Sequence, residues 1–281
     1  GPESMKLEDL PDYPILKQLS KSLWGVGNTQ GAAIMVGAGF SRNAELLTPL
    51  TPKPPLWWDF QNAMGDELPD VQSDDPLILA EAYEEMYGRP ELDGLIRQLV
   101  RDNEWEPGEL HRRLLDLPWS DALTTNWDTL LERTRENLHS QRFYDVVNVP
   151  EDIARTRAPR IVKLHGSLPS YTPFIFTSGD YEVYPEKRSP FVNLVQQVLL
   201  ENDLCLVGFS GDDPNFKEWV GWVKKELGKN ARRIFLLGYL NLTDEKRTQF
   251  KDDNIVPVDL APLFKGEDAV DDPYYASNKA I

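Results

Sequence analysis

Short, continuous apolar runs recur along the chain and constrain its fold more than any other feature of the sequence. The five clearest are bounded by Gly, Pro or polar residues, which is typical of strands buried on both faces of a parallel sheet. These runs lie at 32–36, 120–124, 160–164, 203–207 and 233–237, with a weaker sixth at 255–259. Helical spacing separates them, as in the apolar positions of 191–199. The alternation predicts an α/β fold with a Rossmann-like parallel sheet of about six strands and helices on both faces.

The connection between the first two runs is too long for a single crossover helix. Residues 43–119 open with a proline-rich segment at 48–55, and helical patterns follow it. We therefore expect a helical insertion that covers one rim of the sheet. A second interruption, at 168–189, is rich in aromatic residues, Pro and Gly, and it predicts an irregular lid or loop. The helical patterns of the insertion lie at 76–87, 92–101 and 109–117.

Charge and cysteine content exclude several classes of function. Thirty basic and 46 acidic residues give a net charge of −16, and without a long basic run this field repels nucleic acid. No apolar run approaches the ~20 residues of a membrane span. The single cysteine, Cys205, rules out an intrachain disulfide and a cysteine-based zinc site, so we expect no zinc. Cys205 lies in an apolar run as a small core residue, which suits a reducing, cytoplasmic compartment.

The two ends of the chain stand apart from this pattern. Residues 1–4, directly before Met5, are typical of the remnant of a cleaved expression tag. We assign 5–265 to one domain that includes the insertion. The periodicity fades near its end, and we expect 266–281 to be a linker or the start of a further module.

The first run is followed by a candidate phosphate loop. Two glycines here let the backbone turn tightly and approach a pyrophosphate, and the next helix would offer its N-terminal N–H groups to the anion. Arg42 stands where the full dinucleotide fingerprint has a third glycine, and a tight strand-to-helix turn would also explain the loop. The residues of the candidate loop are Gly37, Ala38, Gly39, Phe40, Ser41 and Arg42.

Polar residues also follow the second and third runs. Thr125, Asn126 and Asp128 come after the second run, where open α/β sheets bind ligands at the carboxyl ends of their strands. The alternative for Thr125 and Asp128 is that they cap the following helix. His165, which precedes a glycine, ends the third run and is a candidate catalytic base. His111 has no such setting and is expected to pack or face solvent on a helix.

The fourth run is followed by small and polar residues. Gly208 permits the close approach of a ribose or phosphate, while Ser210 and Asp213 can bond sugar hydroxyls. The alternative for Asp213 is a turn with a helix start at Pro214. All four motifs are expected at the same edge of one sheet, and this convergence indicates a nucleotide site.

Over residues 30–260 these motifs, in order, resemble those of the sirtuin family. Thr125 stands where the family's Thr-Gln-Asn-x-Asp motif has glutamine. The matching positions are Gly37, Ala38, Gly39 and Ser41 in the phosphate loop, Asn126 and Asp128 in the Asn-x-Asp motif, His165 and Gly166 in the catalytic pair, and Gly208 and Ser210 in the ribose loop.

The chain also departs from the protein deacylases of this family. It lacks the four cysteines of their zinc module, and the loop that places nicotinamide has only a candidate counterpart at 54–60. The exact forms of the motifs are most similar to those of the bacterial antiphage-defence branch. Members of that branch hydrolyse NAD in abortive infection, with the enzymatic domain fused to or partnered with a sensing module.

The resemblance implies an NAD glycohydrolase that releases nicotinamide and ADP-ribose. Asn126 would contact the ribose or position a water, and His165 would bond a ribose hydroxyl and act as general base. A sensing module and a homo-oligomer are the expected partners besides NAD. The alternatives are an NAD-dependent protein deacylase or ADP-ribosyltransferase, and a sensor that binds NAD or ADP-ribose without turnover.

Overall fold

A computed structural model describes residues 5–28, 31–210 and 213–264 of the chain. Its strands are β1 (Ala32–Val36), β2 (Glu45–Leu46), β3 (Trp105–Glu106), β4 (Ala122–Thr124), β5 (Asp145–Val147), β6 (Arg160–Lys163), β7 (Asp203–Val207), β8 (Ile234–Gly238) and β9 (Ile255–Asp259). Strands β2 and β3 pair with each other, antiparallel. The other seven form one parallel sheet in the order β5-β6-β4-β1-β7-β8-β9, which confirms the predicted α/β, Rossmann-like fold.

Ten α-helices are described. They are α1 (Tyr13–Trp24), α2 (Trp57–Asp66), α3 (Pro76–Tyr87), α4 (Arg89–Leu99), α5 (Glu109–Asp116), α6 (Leu130–Thr134), α7 (Ser178–Lys187), α8 (Ser189–Glu201), α9 (Pro214–Leu227) and α10 (Asp244–Asp252). The helical patterns predicted in 43–119 correspond to α3, α4 and α5.

Each of the six predicted runs corresponds to a strand of the parallel sheet, and the seventh strand of that sheet was not predicted. Strand β5 pairs only with β6, at one edge of the sheet. It has three residues and begins with the half-buried Asp145, so it lacks the continuous apolar run that marks the other strands. A short, partly polar edge strand therefore escapes a search for buried runs.

Three local expectations were wrong. The segment after the phosphate-loop glycine is a 3₁₀ helix, Ala38–Asn43, and not the start of an α-helix. The candidate nicotinamide loop at 54–60 is a loop only up to its middle, because Trp57 begins α2. The second half of the expected irregular lid forms α7, whose first turn is capped by the Thr177 hydroxyl.

The sheet carries an apolar layer on each face. Ala33 and Met35 of β1 pack into one layer, while Ala32, Ile34 and Val36 pack into the other. This follows from the two-residue period of a strand, which sends successive side chains to opposite faces. Cys205 of β7 is fully buried, and burial raises the pKa of its thiol to about 12.

A third apolar cluster joins the insertion to one edge of the sheet. Phe60 of α2 packs edge-on against Trp127, which follows β4, with ring centroids 5.6 Å apart. Phe176 of the 168–177 segment packs against the same indole at 5.3 Å. The insertion and this segment thus meet over the carboxyl ends of the strands, which fits the predicted cover of one rim.

The expected tag remnant at 1–4 and the expected linker at 266–281 lie outside the described residues. Within the described ranges, no helix is long and apolar enough to cross a membrane.

Candidate active site

The four motifs follow four neighbouring strands. In the sheet order β6-β4-β1-β7, these strands are followed by His165, Asn126, Gly37 and Gly208. Because all four strands are parallel, their carboxyl ends meet at one edge. The sheet topology thus brings together motifs that are up to about 170 residues apart in sequence.

The two glycine loops pack directly on each other. The Gly37 N–H donates to Val207 O and the Gly39 N–H to Gly208 O, both at 2.9 Å. Gly208 has a φ of +79°, and a Cβ there would lie 2.6 Å from the Phe40 nitrogen. Only glycine fits this left-handed, close-packed position, so the contact between loops accounts for part of the glycine pattern.

Asn126 is fixed by a short chain of hydrogen bonds. Its Nδ2 donates to Gly37 O at 2.9 Å and to Ser41 Oγ at 3.2 Å. Ser41 Oγ in turn donates to Asp128 Oδ2 at 2.6 Å. Among the described residues, none donates to Asn126 Oδ1. The amide is therefore oriented by its nitrogen, and its oxygen is left to accept a hydrogen bond from a ligand.

Asp128 serves the helix as well as the site. Its Oδ1 accepts from the N–H of Leu130, the first residue of α6, at 3.0 Å, although the N-cap residue of that helix is Thr129. Burial raises the pKa of Asp128, and the nearby charge of Lys163 opposes the rise.

A buried cation lies behind Asp128, and the sequence reasoning missed it. Lys163 is 1% exposed, and its Nζ donates to the Asp128 carbonyl and lies 3.3 Å from a Glu132 carboxylate oxygen. The pKa of Glu132 is raised by burial, and the nearby charge of Lys163 opposes part of that rise. The sequence did contain a signal for this ion pair, namely a lysine inside an otherwise apolar run. A buried charge is normally paired, so such a lysine predicts a buried carboxylate partner.

The cavity beside Asn126 is small. It has a volume of about 40 Å³, against roughly 300–1,000 Å³ for typical ligand sites. Thr125 and Asn126 line it, together with Ala38, Ser41 and residues of the 54–60 segment. The candidate nicotinamide segment therefore borders the same cavity as Asn126.

Arg42 ties the phosphate loop to that segment. Its Nε donates to Pro54 O at 2.6 Å, and its Nη2 lies 3.3 Å from Asp59 Oδ2. Asp59 also accepts from the Leu56 N–H at the start of α2. In this conformation Arg42 is occupied by the protein itself.

His165 is buried in an aromatic cluster and does not line the cavity beside Asn126. Its Nε2 accepts from Trp219 Nε1 at 3.0 Å, and edges of Tyr181 and Tyr184 face its ring. Burial, and to a smaller extent Arg188, lowers the pKa of His165 to about 3. The imidazole is therefore neutral at physiological pH.

The glycine after His165 has a steric role. Gly166 has a φ of +87°, and a Cβ there would lie 2.6 Å from Pro173 O. The 168–177 segment can thus cross the strand end closely, and Ile175 N donates to His165 O at 3.0 Å.

The remaining predicted residues lie apart from this cavity. Asp213 caps α9, since its side chain accepts from the Asn215 N–H at 2.8 Å, and burial raises its pKa to about 7. Ser210 lines a separate cavity with Tyr239 and Phe250. His111 is buried and packs edge-on against Phe40, as expected of a packed helical residue. No group of three potential metal ligands occurs among the described residues.

Comparison with known families bears directly on this site. Residues 120–258 match a family model described as a SIR2-like domain. Over this stretch, just under half of the chain, the sequence is similar to a SIR2-like domain. The matched part of the domain includes Asn126, His165 and Ser210, and thus three of the four motifs. The predicted resemblance to the sirtuin family is confirmed.

Curated relatives extend the similarity beyond the matched part of the SIR2-like domain. An NAD(+) hydrolase ThsA from Bacillus cereus (strain MSX-D12) is 27% identical over 233 residues, covering 80% of this chain and 46% of that protein. An NAD(+) hydrolase ThsA from Acinetobacter baumannii (strain 532279) is 28% identical over 231 residues, covering 79% of this chain and 44% of that protein. The chain thus spans less than half the length of these relatives. A solved structure described as the structural basis for the mechanism and regulation of Sir2 enzymes is 13% identical, with a TM-score of 0.44, and covers 86% of this chain and 92% of that one.

Proposed function

We propose that this chain is the catalytic domain of an NAD glycohydrolase, which converts NAD and water into nicotinamide, ADP-ribose and a proton. The similar curated proteins named NAD(+) hydrolase support this assignment. The observation that carries it is the geometry of Asn126: two hydrogen bonds orient its amide, and its Oδ1 is left without a donor among the described residues.

Hydrolysis of NAD depends less on acid catalysis than on the positions of the ribose and the attacking water. Nicotinamide leaves as a neutral molecule from a cationic ring, so its departure needs no strong general acid. The ribose passes through an oxocarbenium-like state, and a water must reach its anomeric carbon. Asn126 Oδ1 can accept from a ribose hydroxyl or from that water, and its fixed orientation lowers the entropic cost of the attack.

His165 contributes to this reaction as a hydrogen-bonding group in the conformation described. A base of pKa about 3 takes up protons poorly near neutral pH, and its Nε2 is already bonded to Trp219. His165 can still form a hydrogen bond with a ribose hydroxyl. The general-base role that the resemblance implies would require that Nε2 be released.

The rest of the cofactor would lie along the two glycine loops. We propose that the phosphate loop and Arg42 meet the pyrophosphate, and that Gly208, Ser210 and Asp213 lie near the sugars. The Gly39 amide now donates to Gly208 O, so the loops must shift before this amide can meet a phosphate. Asp128 supports the phosphate loop through its bond to Ser41, and Thr125 lines the cavity beside Asn126.

We also propose a regulated, defensive role, in which NAD depletion ends an infection. An unrestrained NAD hydrolase would poison its own cell, and the closed cleft beside Asn126 is consistent with a restrained state. A sensing module or contacts between copies would open the cleft. We propose a cytoplasmic location, which the substrate and a free, buried Cys205 support.

Product analysis tests the proposal. The full-length protein is incubated with NAD, with and without an acetyl-lysine peptide, and the products are identified by mass spectrometry. We expect nicotinamide and free ADP-ribose at a rate that the peptide does not raise. Strict dependence on peptide with O-acetyl-ADP-ribose would establish the deacylase alternative, ADP-ribosylated protein would establish a transferase, and binding without products would establish a sensor.

A further inference from the structure

A hydrogen bond from Trp219 settles which nitrogen of His165 carries the proton. Trp219 Nε1 lies 3.0 Å from His165 Nε2, and the two rings are nearly parallel, with an interplanar angle of 23°. Both side chains are buried, at 3% and 1% exposure. An indole N–H can only donate, so Nε2 must be the unprotonated acceptor. In the neutral imidazole the proton is therefore on Nδ1.

This arrangement leaves one polar group without a partner. Among the described residues, none accepts a hydrogen bond from His165 Nδ1. A ring N–H that no protein group accepts is available to donate to a ligand. His165 follows β6 at the carboxyl edge of the sheet, where the proposed function places NAD. A sugar hydroxyl oxygen is the acceptor on NAD that fits a neutral N–H donor there.

We infer that Trp219 is a positioning residue that holds His165 in the Nδ1–H tautomer, so that His165 donates to a ribose hydroxyl oxygen of NAD. The inference rests on the proposed function for the identity of the ligand. It assigns His165 the part of a fixed donor, since the nitrogen that could act as a base is held by the indole.

The surroundings of His165 favour the same state. Tyr181 and Tyr184 of α7 face the ring, and burial raises the pKa of both phenols well above their ordinary value, so they stay neutral. Arg188 is the charged group that acts on His165, and it disfavours a second positive charge. Asp213, at the start of α9, acts on Tyr181. The Trp219 donor therefore adds to an environment that already keeps the imidazole neutral.

The tautomer can be observed directly in the wild-type protein. In ¹⁵N-labelled protein, NMR should report His165 as Nδ1–H across the physiological pH range, with the signal assigned by its loss in His165→Gln. His111 is an internal reference, because its Nδ1 accepts from the Gly108 N–H at 3.1 Å and its proton must be on Nε2. An Nε2–H signal for His165, or a mixture of tautomers, would overturn the inference.

Paired variants test the consequence for catalysis. Trp219→Phe removes the donor and keeps a ring, so we expect kcat/KM for NAD to fall by about tenfold. The pKa of His165 should rise toward its ordinary value, and turnover should fall on the acid side at a higher pH than in the wild type. Trp222→Phe is the matched control, because Trp222 stacks on Tyr184 at 5.0 Å without bonding His165.

The outcomes separate this inference from the proposed function. Identical pH profiles for the two variants would contradict the positioning role even if both hydrolyse NAD. If the full-length protein releases no nicotinamide, the proposed function fails, while the tautomer measurement still decides whether Trp219 sets the proton position. If Trp219→Phe does not fold, the wild-type spectrum decides alone.

Discussion

Asn126 is the single residue whose loss is expected to affect chemistry most. Asn126→Ala removes the oriented Oδ1, and the loss of one preorganised polar contact commonly slows turnover by about 10²- to 10³-fold. Stability should fall by only about 1–2 kcal/mol, since two net hydrogen bonds are lost. NAD turnover and urea unfolding of the full-length variant measure both quantities. Asn193→Ala, on the exposed side of α8, is the control, and normal turnover in Asn126→Ala would remove this residue from the site.

Lys163 offers a second test at this scale, through stability. Lys163→Met leaves Glu132 and Asp128 buried without their cation, which should cost about 3–5 kcal/mol. Without Lys163 the pKa values of both carboxyl groups rise further above their unfolded values. The folded state then binds protons that the unfolded state releases, so the variant should lose stability as pH rises from 5 to 8.

Urea unfolding of Lys163→Met at several pH values would show this slope. The double variant Lys163→Met/Glu132→Gln should recover part of the loss, because one uncompensated carboxylate is gone. A single variant as stable as the wild type at pH 8 would mean that the buried pair is not needed.

For single residues, the sequence predicted where the site residues lie but not which side chains they would bond. Asn126 and Asp128 could be placed at a strand end from the motif alone. The bond between His165 and Trp219 spans 54 residues and depends on how α9 packs, so no local pattern could indicate it. Lys163 could have been found, because a charge inside a buried run must be paired.

Among the helices and strands, the N-terminus of α9 gives the clearest pH-dependent prediction. The pKa of Asp213 is raised to about 7, well above the value expected in the unfolded chain. The folded state keeps a proton that the unfolded state loses, so this carboxyl lowers stability as pH rises from about 4 to 7. Asp213→Asn keeps the cap without titrating. Relative to wild type it should gain stability over that range, on the order of 1.4 kcal/mol per unit of pKa difference.

Urea unfolding between pH 5 and 8 measures that difference. Asp75→Asn is the matched control, because Asp75 caps α3 in the same way, accepting from Leu77 N at 2.9 Å, but is exposed. A parallel pH dependence for Asp213→Asn and the wild type would show that Asp213 does not titrate as described.

Helices and strands could be predicted from the sequence where their residues are deeply buried, and less well elsewhere. Strands β1 and β7 begin and end where their apolar runs do, because both faces of each are covered. Strand β5 was not predicted because it has no continuous apolar run. The helix α2 was missed because its first turn, with two tryptophans after two prolines, carries no helical period that could be recognised in so short a stretch.

For the whole molecule, access of NAD to the site depends on the walls of the cavity beside Asn126. The cavity of about 40 Å³ beside Asn126 is small for the nicotinamide riboside end of NAD, and we expect one of its walls to move when NAD binds. The 54–60 segment is the wall supplied by the insertion, and Arg42 couples it to the phosphate loop. If the open form is a minor population, the apparent Kd for NAD rises in inverse proportion to that population.

We therefore predict that this chain alone, when dilute and monomeric, hydrolyses NAD slowly, and that turnover per chain rises in the full-length assembly. Contacts from a further module or another copy would favour the open form by binding it more tightly than the closed one. Turnover measured against protein concentration tests this, together with hydrogen exchange of the 56–66 amides, which should quicken in the active assembly as Arg42 releases Pro54. A dilute monomer that hydrolyses NAD at the full rate would show that the cleft opens unaided. In that case restraint would have to come from a partner that blocks the cleft and not from the closed packing of the insertion.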